Sequence, residues 1–287
     1  MTIRRYGEWL SRVCLVGWVV FLLPCAQAAE SQPLSMGVFP YLSTRALLDV
    51  YQPIRIDIAE AMKRPVHLFT AQSFEAYADQ ARQGAYDILI TPPHFALLAQ
   101  RQAGYIPLVV YTRKLRGIFV VARNSAIHGL QDLKGKRIAT PTRLALVTIM
   151  GRQWLRENGL APNADVVLLD RASHANAVEA VRRGDAEAAI TTSTALAQMS
   201  AELRDSVRVV AQTPYAPHVM YLVHPRLGKM AIERIKAALL AFPATQAGQA
   251  FLKVNGFEGM RPVEAADIKR VQPYVKELER LLAPGQP

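Results

Sequence analysis

Short apolar runs of strand length alternate with longer stretches of helical spacing along nearly the whole sequence, which confines the chain to α/β architectures with mainly parallel sheets. Leu34 to Phe39 reads as a first strand that Pro40 ends. Thr44 to Met62 follows with apolar residues at helical spacing, and Pro53 is expected to bend or split it. Val66 to Phe69 is a second strand, Ser73 to Arg82 a helix stopped by Gly84, and Tyr86 to Ile90 a third strand. Pro92-Pro93 then opens another helix, at a position where no backbone N–H is needed.

Ile106 to Tyr111 and Ile118 to Ala122 are two further strands, separated by the basic turn Thr112 to Gly117 and expected to run between two lobes. After them the pattern restarts. Leu130 to Lys136 is a short helix and turn, Arg137 to Thr140 a strand, and Leu144 to Asn158 a long helix ended by Gly159. Val166 to Leu169, the helix Ala175 to Arg183, Ala188 to Ile190 and Val207 to Ala211 complete a second βαβ set. The last third is helical: Met230 to Ala241, Thr245 to Val254, and Ala265 to Leu282 in two pieces around Pro273. One lobe is expected from residues 29–115 plus 218–287, and the other from residues 116–217.

The first residues read as an address. Arg4, Arg5 and Arg12 make a basic start, Val13 to Leu23 is mostly apolar, and Pro24 precedes Ala26-Gln27-Ala28. This order of positive, apolar and small residues is the secretory pattern, with residues 1–28 the signal peptide and cleavage expected after Ala28. The alternative is a retained anchor, for which the apolar stretch is shorter than the ~20 residues a span needs. A lipid-modified Cys25 is disfavoured by Pro24 before it. Both cysteines, Cys14 and Cys25, leave with the peptide, so disulfides, thiolate catalysis and Cys-based metal sites are excluded from the exported chain. Removal of three arginines and Glu8 lowers the formal charge of +11 by two. The remaining Lys and Arg are scattered singly and in pairs with no basic arm, which argues against a nucleic-acid partner.

In an α/β layout ligands sit at the carboxyl ends of strands, where loops feed helix N-termini with unpaired N–H groups. After the first strand come Tyr41, Ser43 and Thr44, equally readable as a helix cap with a surface aromatic. After the third come Thr91, His94 and Phe95, a hydroxyl, an imidazole and a ring at a helix start. Thr142 and Arg143 precede the long helix, where dipole, free N–H groups, hydroxyl and guanidinium coincide to suit an anion. Ser173 and His174 stand at another helix start, and the hydroxyl run Thr191 to Thr194 at the next strand end. His218 and Tyr221 lie near the return crossing. Gly-x-Ser-x-Gly, phosphate-loop, His-Glu-x-x-His and dinucleotide motifs are all missing, as are carboxylates at these strand ends, so neither catalysis nor a cofactor is expected.

Asp132-Leu133-Lys134-Gly135-Lys136-Arg137-Ile138-Ala139, the Ser173-His174 pair followed by Asn176 to Val181, and Gly184-Asp185-Ala186-Glu187-Ala188 resemble the phosphonate/phosphate/phosphite-type substrate-binding proteins of ABC importers. The resemblance implies a type II periplasmic binding protein fold, two βαβ lobes that close by a hinge on a ligand cleft. It implies ligand contacts at Tyr41, Phe95, Thr142 and His174. Phe95 stands where the family often has Tyr, and Thr142-Arg143-Leu144-Ala145 replaces a Ser-Thr-Ser-like helix start, which suggests an anion other than a simple alkylphosphonate. The expected role is periplasmic capture of a phosphonate-like or related oxyanion by a monomer serving an inner-membrane ABC permease. Two alternatives keep the scaffold: ligand-sensing input to a membrane histidine kinase, and an enzyme similar to cofactor-pyrimidine synthases.

Overall fold

The computed structural model describes residues 32–283. The expected leader, its cleavage point and both cysteines lie outside the described residues. The chain runs β1 (Leu34–Val38), α1 (Thr44–Met62), β2 (Val66–Phe69), α2 (Phe74–Arg82), β3 (Ile88–Thr91), α3 (Pro93–Ala103) and β4 (Ile106–Tyr111). It then crosses to β5 (Leu115–Ala122), β6 (Arg137–Thr140), α4 (Leu146–Glu157), β7 (Val167–Asp170), α5 (His174–Arg182), β8 (Ala188–Thr192), α6 (Ser193–Ala197), α7 (Ala201–Asp205) and β9 (Val207–Ala216). It returns through β10 (Met220–Val223), α8 (Lys229–Ala241), α9 (Gln246–Asn255), β11 (Met260–Pro262) and α10 (Ala265–Leu282).

Two sheets result, ordered β11-β4-β10-β3-β1-β2 and β7-β6-β8-β5-β9. In the first, β1 pairs parallel with both β2 and β3, while β10 runs antiparallel between β3 and β4. In the second, β6 pairs parallel with β7 and β8, and β5 lies antiparallel between β8 and β9. The sheets are therefore mixed rather than mainly parallel. The antiparallel members are β5 and β10, which follow the two crossings at 112–114 and 217–219, and the edge strand β11, which pairs antiparallel with β4.

β5 shows why apolar runs without alternation form strands here. Ile118 and Val120 pack into one cluster with Val178 and Ala189, while Phe119 and Val121 pack into another with Leu155 and Ile190. With both faces covered, a strand is apolar at every position. Four-residue β10 is buried throughout and carries no period at all, which is why the sequence pattern passes over it.

Neither proline breaks its helix. α1 runs through Pro53 with Leu47, Tyr51, Ile54, Ile58 and Met62 buried, and α10 runs through Pro273 with Val271, Val275, Leu278 and Leu281 buried. A helical proline costs about 3 kcal/mol, whereas each large apolar side chain buried contributes about 1.5 to 3 kcal/mol, so either stripe outweighs it. α4 begins at Leu146 rather than Leu144, capped by Ala145. Gly151 lets α4 lie close on β8, since a Cβ there would stand 2.6 Å from Ile190 Cδ1.

The two sheets share contacts on either side of the crossings. Leu144 and Ile149, from the second-sheet part of the chain, are fully buried in the core of the first. Arg270 on α10 stacks on the Tyr215 ring of β9 at 4.1 Å.

Candidate functional site

Strand ends of both sheets face a small cavity of about 70 Å³. From the first sheet, the β1–α1 loop supplies Phe39 and Tyr41, α1 supplies Tyr51, α2 supplies Phe74, and the cap of α3 supplies Pro92. Across from them stand Ala145, Leu146 and Val147 at the start of α4, His174 at the start of α5, and Thr192, Thr194 and Gln198 around α6. Leu115, His218 and Val219 come from the crossings, and Phe257 follows α9. Outside the cavity an open groove of about 530 Å³ is lined by Leu42, Ser43, Thr44, Gln72, Ser173 and Met199, and it shares Tyr41, His174, Ala195 and Gln198 with the inner space.

The polar groups of the inner space carry no formal charge near neutral pH. The half-buried ring of His174 has Nδ1 3.0 Å from Thr191 Oγ1, and burial pushes its pKa down to about 4. His218 is 4 % exposed, and burial, with Arg113 nearby, pushes it down to about 3. Its tautomer follows from its partners: the Val219 N–H donates to Nδ1 at 2.9 Å, so Nε2 carries the proton and faces Thr194 Oγ1 at 3.5 Å. Burial raises the Tyr41 hydroxyl to about 12 against the opposing effect of its 3.4 Å contact with Tyr51, so it remains a neutral donor. The N–H groups of Leu146 and Val147 at the start of α4 have no intrahelical acceptor, and both residues line the cavity. Such a set of neutral donors beside a helix start can hold an oxyanion by dipoles alone.

Several expected site residues fall together. Tyr41 and His174 line both inner cavity and groove; Ser43 and Thr44, exposed at the start of α1, and Ser173, at the start of α5, line the groove. Ser43 and Ser173 also cap their helices, accepting from Ala46 and Asn176 N–H groups. Thr142 lines a side recess with Ser173 and His174 that has room for about one water, at about 10 Å³.

Others lie outside the cavity lining. Thr91 and Phe95 are buried in the first-sheet core, and Phe95 packs on Phe74 and Tyr77. His94 is fully buried and donates from Nε2 to the Leu144 carbonyl at 2.9 Å, bracing one sheet's helix against the other's loop. Arg143 Nη2 lies 4.0 Å from Glu75 Oε1 and the residue does not line the inner cavity, so the arginine at this helix start gives no reason to expect an anion more charged than an alkylphosphonate. Thr191 is buried behind His174, where it sets the ring's orientation. Tyr221 is buried with its hydroxyl on that of Tyr111.

The cavity also contains residues that the sequence pattern does not single out. Within the hydroxyl run, which that pattern marks only as a whole, Thr192 at the end of β8 and Thr194 on α6 line the space, and Thr191 does not. Gln198 and Phe257 have no local signal, since a fold-level contact brings them together: Gln198 Nε2 donates to the Asn255 carbonyl at 3.0 Å. Among the described residues no group of three or more His, Asp or Glu is placed to hold a metal ion.

No curated protein matches the chain by sequence. Solved structures share its fold. PhnD1 from Prochlorococcus marinus in complex with methylphosphonate is 14% identical, with a TM-score of 0.76 over 86% of this chain and 98% of that one. A binding protein component of an ABC phosphonate transporter from Pseudomonas aeruginosa is 14% identical, with a TM-score of 0.74 over 90% and 91%. The periplasmic aliphatic sulphonate binding protein SsuA from Escherichia coli is 18% identical, with a TM-score of 0.60 over 88% and 94%. These are two-lobed periplasmic binding proteins, and the present chain has their architecture. The sequence profile of the ABC transporter phosphonate periplasmic substrate-binding proteins matches residues 36–268. With its α/β lobes and a cleft between two sheets, the chain belongs to that periplasmic solute-binding family.

Proposed function

We propose that the cleft captures a small phosphonate-type oxyanion, held by the first turn of α4, the Tyr41 hydroxyl and His174, and delivers it to an inner-membrane ABC permease. The observation that carries this reading is the convergence of neutral donors and a helix N-terminus on one cavity between the two sheets. Ser43, Thr44 and Ser173 form the rim over which the ligand enters, and Thr142 sits at its side. Thr91, His94, Phe95 and Thr191 support the site from behind, and Arg143 contributes field from outside it, screened by Glu75.

The working unit in this proposal is a monomer with one lobe of residues 29–115 plus 218–287 and another of 116–217, exported with cleavage after Ala28. It binds its ligand without converting it and takes no nucleic acid. Isothermal titration against phosphonates, phosphite, phosphate and sulfonates tests the ligand class, with saturable one-to-one heat from at least one of them expected. Silence across the panel, from protein shown to be folded and ligand-free, overturns the proposal. Ligand recovered unchanged after prolonged incubation is the expected sign of binding without turnover.

A further inference from the structure

We propose that the cavity selects oxyanions whose substituent is uncharged and rejects those that carry an ammonium group; this rests on the oxyanion reading above. Among the described residues no Asp, Glu, Lys or Arg lines the inner space. Its polar side chains are two tyrosines, two threonines, one glutamine and two histidines, and the rest of the wall is aliphatic or aromatic. An ammonium placed anywhere in it therefore finds no counter-charge.

The acidic residues beside the lining are turned elsewhere. Glu75 follows Phe74 and lies 4.0 Å from Arg143, and Glu258 follows Phe257 and lies 3.9 Å from Arg113. The polar wall is also closed on itself. His218 packs edge-on against Tyr111 and Phe257 with centroids 5.7 and 5.3 Å away, and its Nε2 faces Thr194; Gln198 Nε2 is held by the Asn255 carbonyl. Phe39 is stacked on Tyr41 at 4.5 Å and Phe257 on Tyr111 at 4.2 Å, so each of these rings has one face covered by another ring. An ammonium taken from water into this space loses its hydration without an ionic partner, and a ring face returns only a fraction of that loss. A methyl group in its place gains from the same walls.

Propylphosphonate and aminoethylphosphonate differ by this single exchange of methyl for ammonium, and methylphosphonate reports the oxyanion end alone. Calorimetric titration of the exported protein at neutral pH is expected to give binding of methylphosphonate and propylphosphonate, with aminoethylphosphonate weaker than propylphosphonate by about 30-fold or more. Methylphosphonate bound but aminoethylphosphonate equal to or tighter than propylphosphonate overturns the inference and leaves the oxyanion reading standing, with the ring faces as the seat of the cation. Silence from all three overturns both. Gln198→Glu, isosteric and half-buried, places a carboxylate at the wall; the ratio should move toward aminoethylphosphonate by about fivefold or more. An unmoved ratio in a folded variant overturns the assignment of this wall to the substituent.

Discussion

The β3–α3 and β7–α5 junctions look alike in sequence, each a strand end followed by a helix with histidine in its first turn, yet they do different work. His94 is sealed in the core and ties α3 to the Leu144 carbonyl, whereas His174 stands at the cavity wall with Thr191 behind it. Both rings are deprotonated near neutral pH, with pKa values lowered to about 4 chiefly by burial. Local chemistry is thus shared, and location in the sheet sets the role: β3 lies inside its sheet beneath α3's own core contacts, while β7 is an edge strand whose following loop opens on the cleft.

The largest effect that would break this comparison is on folding. His94→Ala should lose about 2 to 4 kcal/mol of unfolding free energy, from the truncated core side chain and the carbonyl left without its donor. Chemical denaturation reads it directly, and a loss as small as that of His174→Ala would make the two junctions equivalent. His174→Ala should instead weaken methylphosphonate binding by about 1.5 to 3 kcal/mol, the range for hydrogen bonds to a charged group, with the denaturation midpoint nearly unmoved. Unchanged affinity there would remove His174 from the site.

Titration sharpens what the junctions share. An unfolded histidine takes up its proton as pH falls through about 6.5, but the folded ones wait until about 4, and His218 until about 3. The unfolded chain therefore binds more protons in this window, and stability should fall as pH drops from 6.5 to 4, by roughly 1.4 kcal/mol per pH unit for each such histidine. Urea midpoints across the window measure the slope, and either alanine variant should lower it by the same step. The smallest effect distinguishes the helix starts themselves. α5 is capped by the Ser173 hydroxyl and α3 by Pro92 with no side-chain bond, so Ser173→Ala should cost about 1 kcal/mol. Differential scanning calorimetry resolves that difference.

How much of this was legible in the sequence follows from what is local. Ser43 and Ser173 cap helices at the expected places because a hydroxyl and the N–H three residues on need nothing from the rest of the chain. Tyr41 and His174 could be named because a strand end and a helix start mark them. The run of four hydroxyls does not state which of them line the cavity: a shift of one residue along β8 separates Thr192 from Thr191, and Thr194 is placed by the turn into α6. The unbroken course of α1 and α10 through proline was hidden for a different reason: the stripes that hold them gain their free energy only once the partner surface exists. Gln198 and Phe257 meet through a contact 57 residues apart, between Gln198 and Asn255, that no window along the chain contains.

The hydrogen bonds Gln198 Nε2 to the Asn255 carbonyl and His94 Nε2 to the Leu144 carbonyl span the cleft without involving a ligand at all. The inner cavity shares Tyr41, His174, Ala195 and Gln198 with the open groove, and parting of the two sheets would break these bonds as well as the contacts of a molecule held there. Ligands that differ in the contacts they make inside the cavity should therefore depart at different rates, while those that differ only in how they reach the groove should arrive at different rates and depart alike.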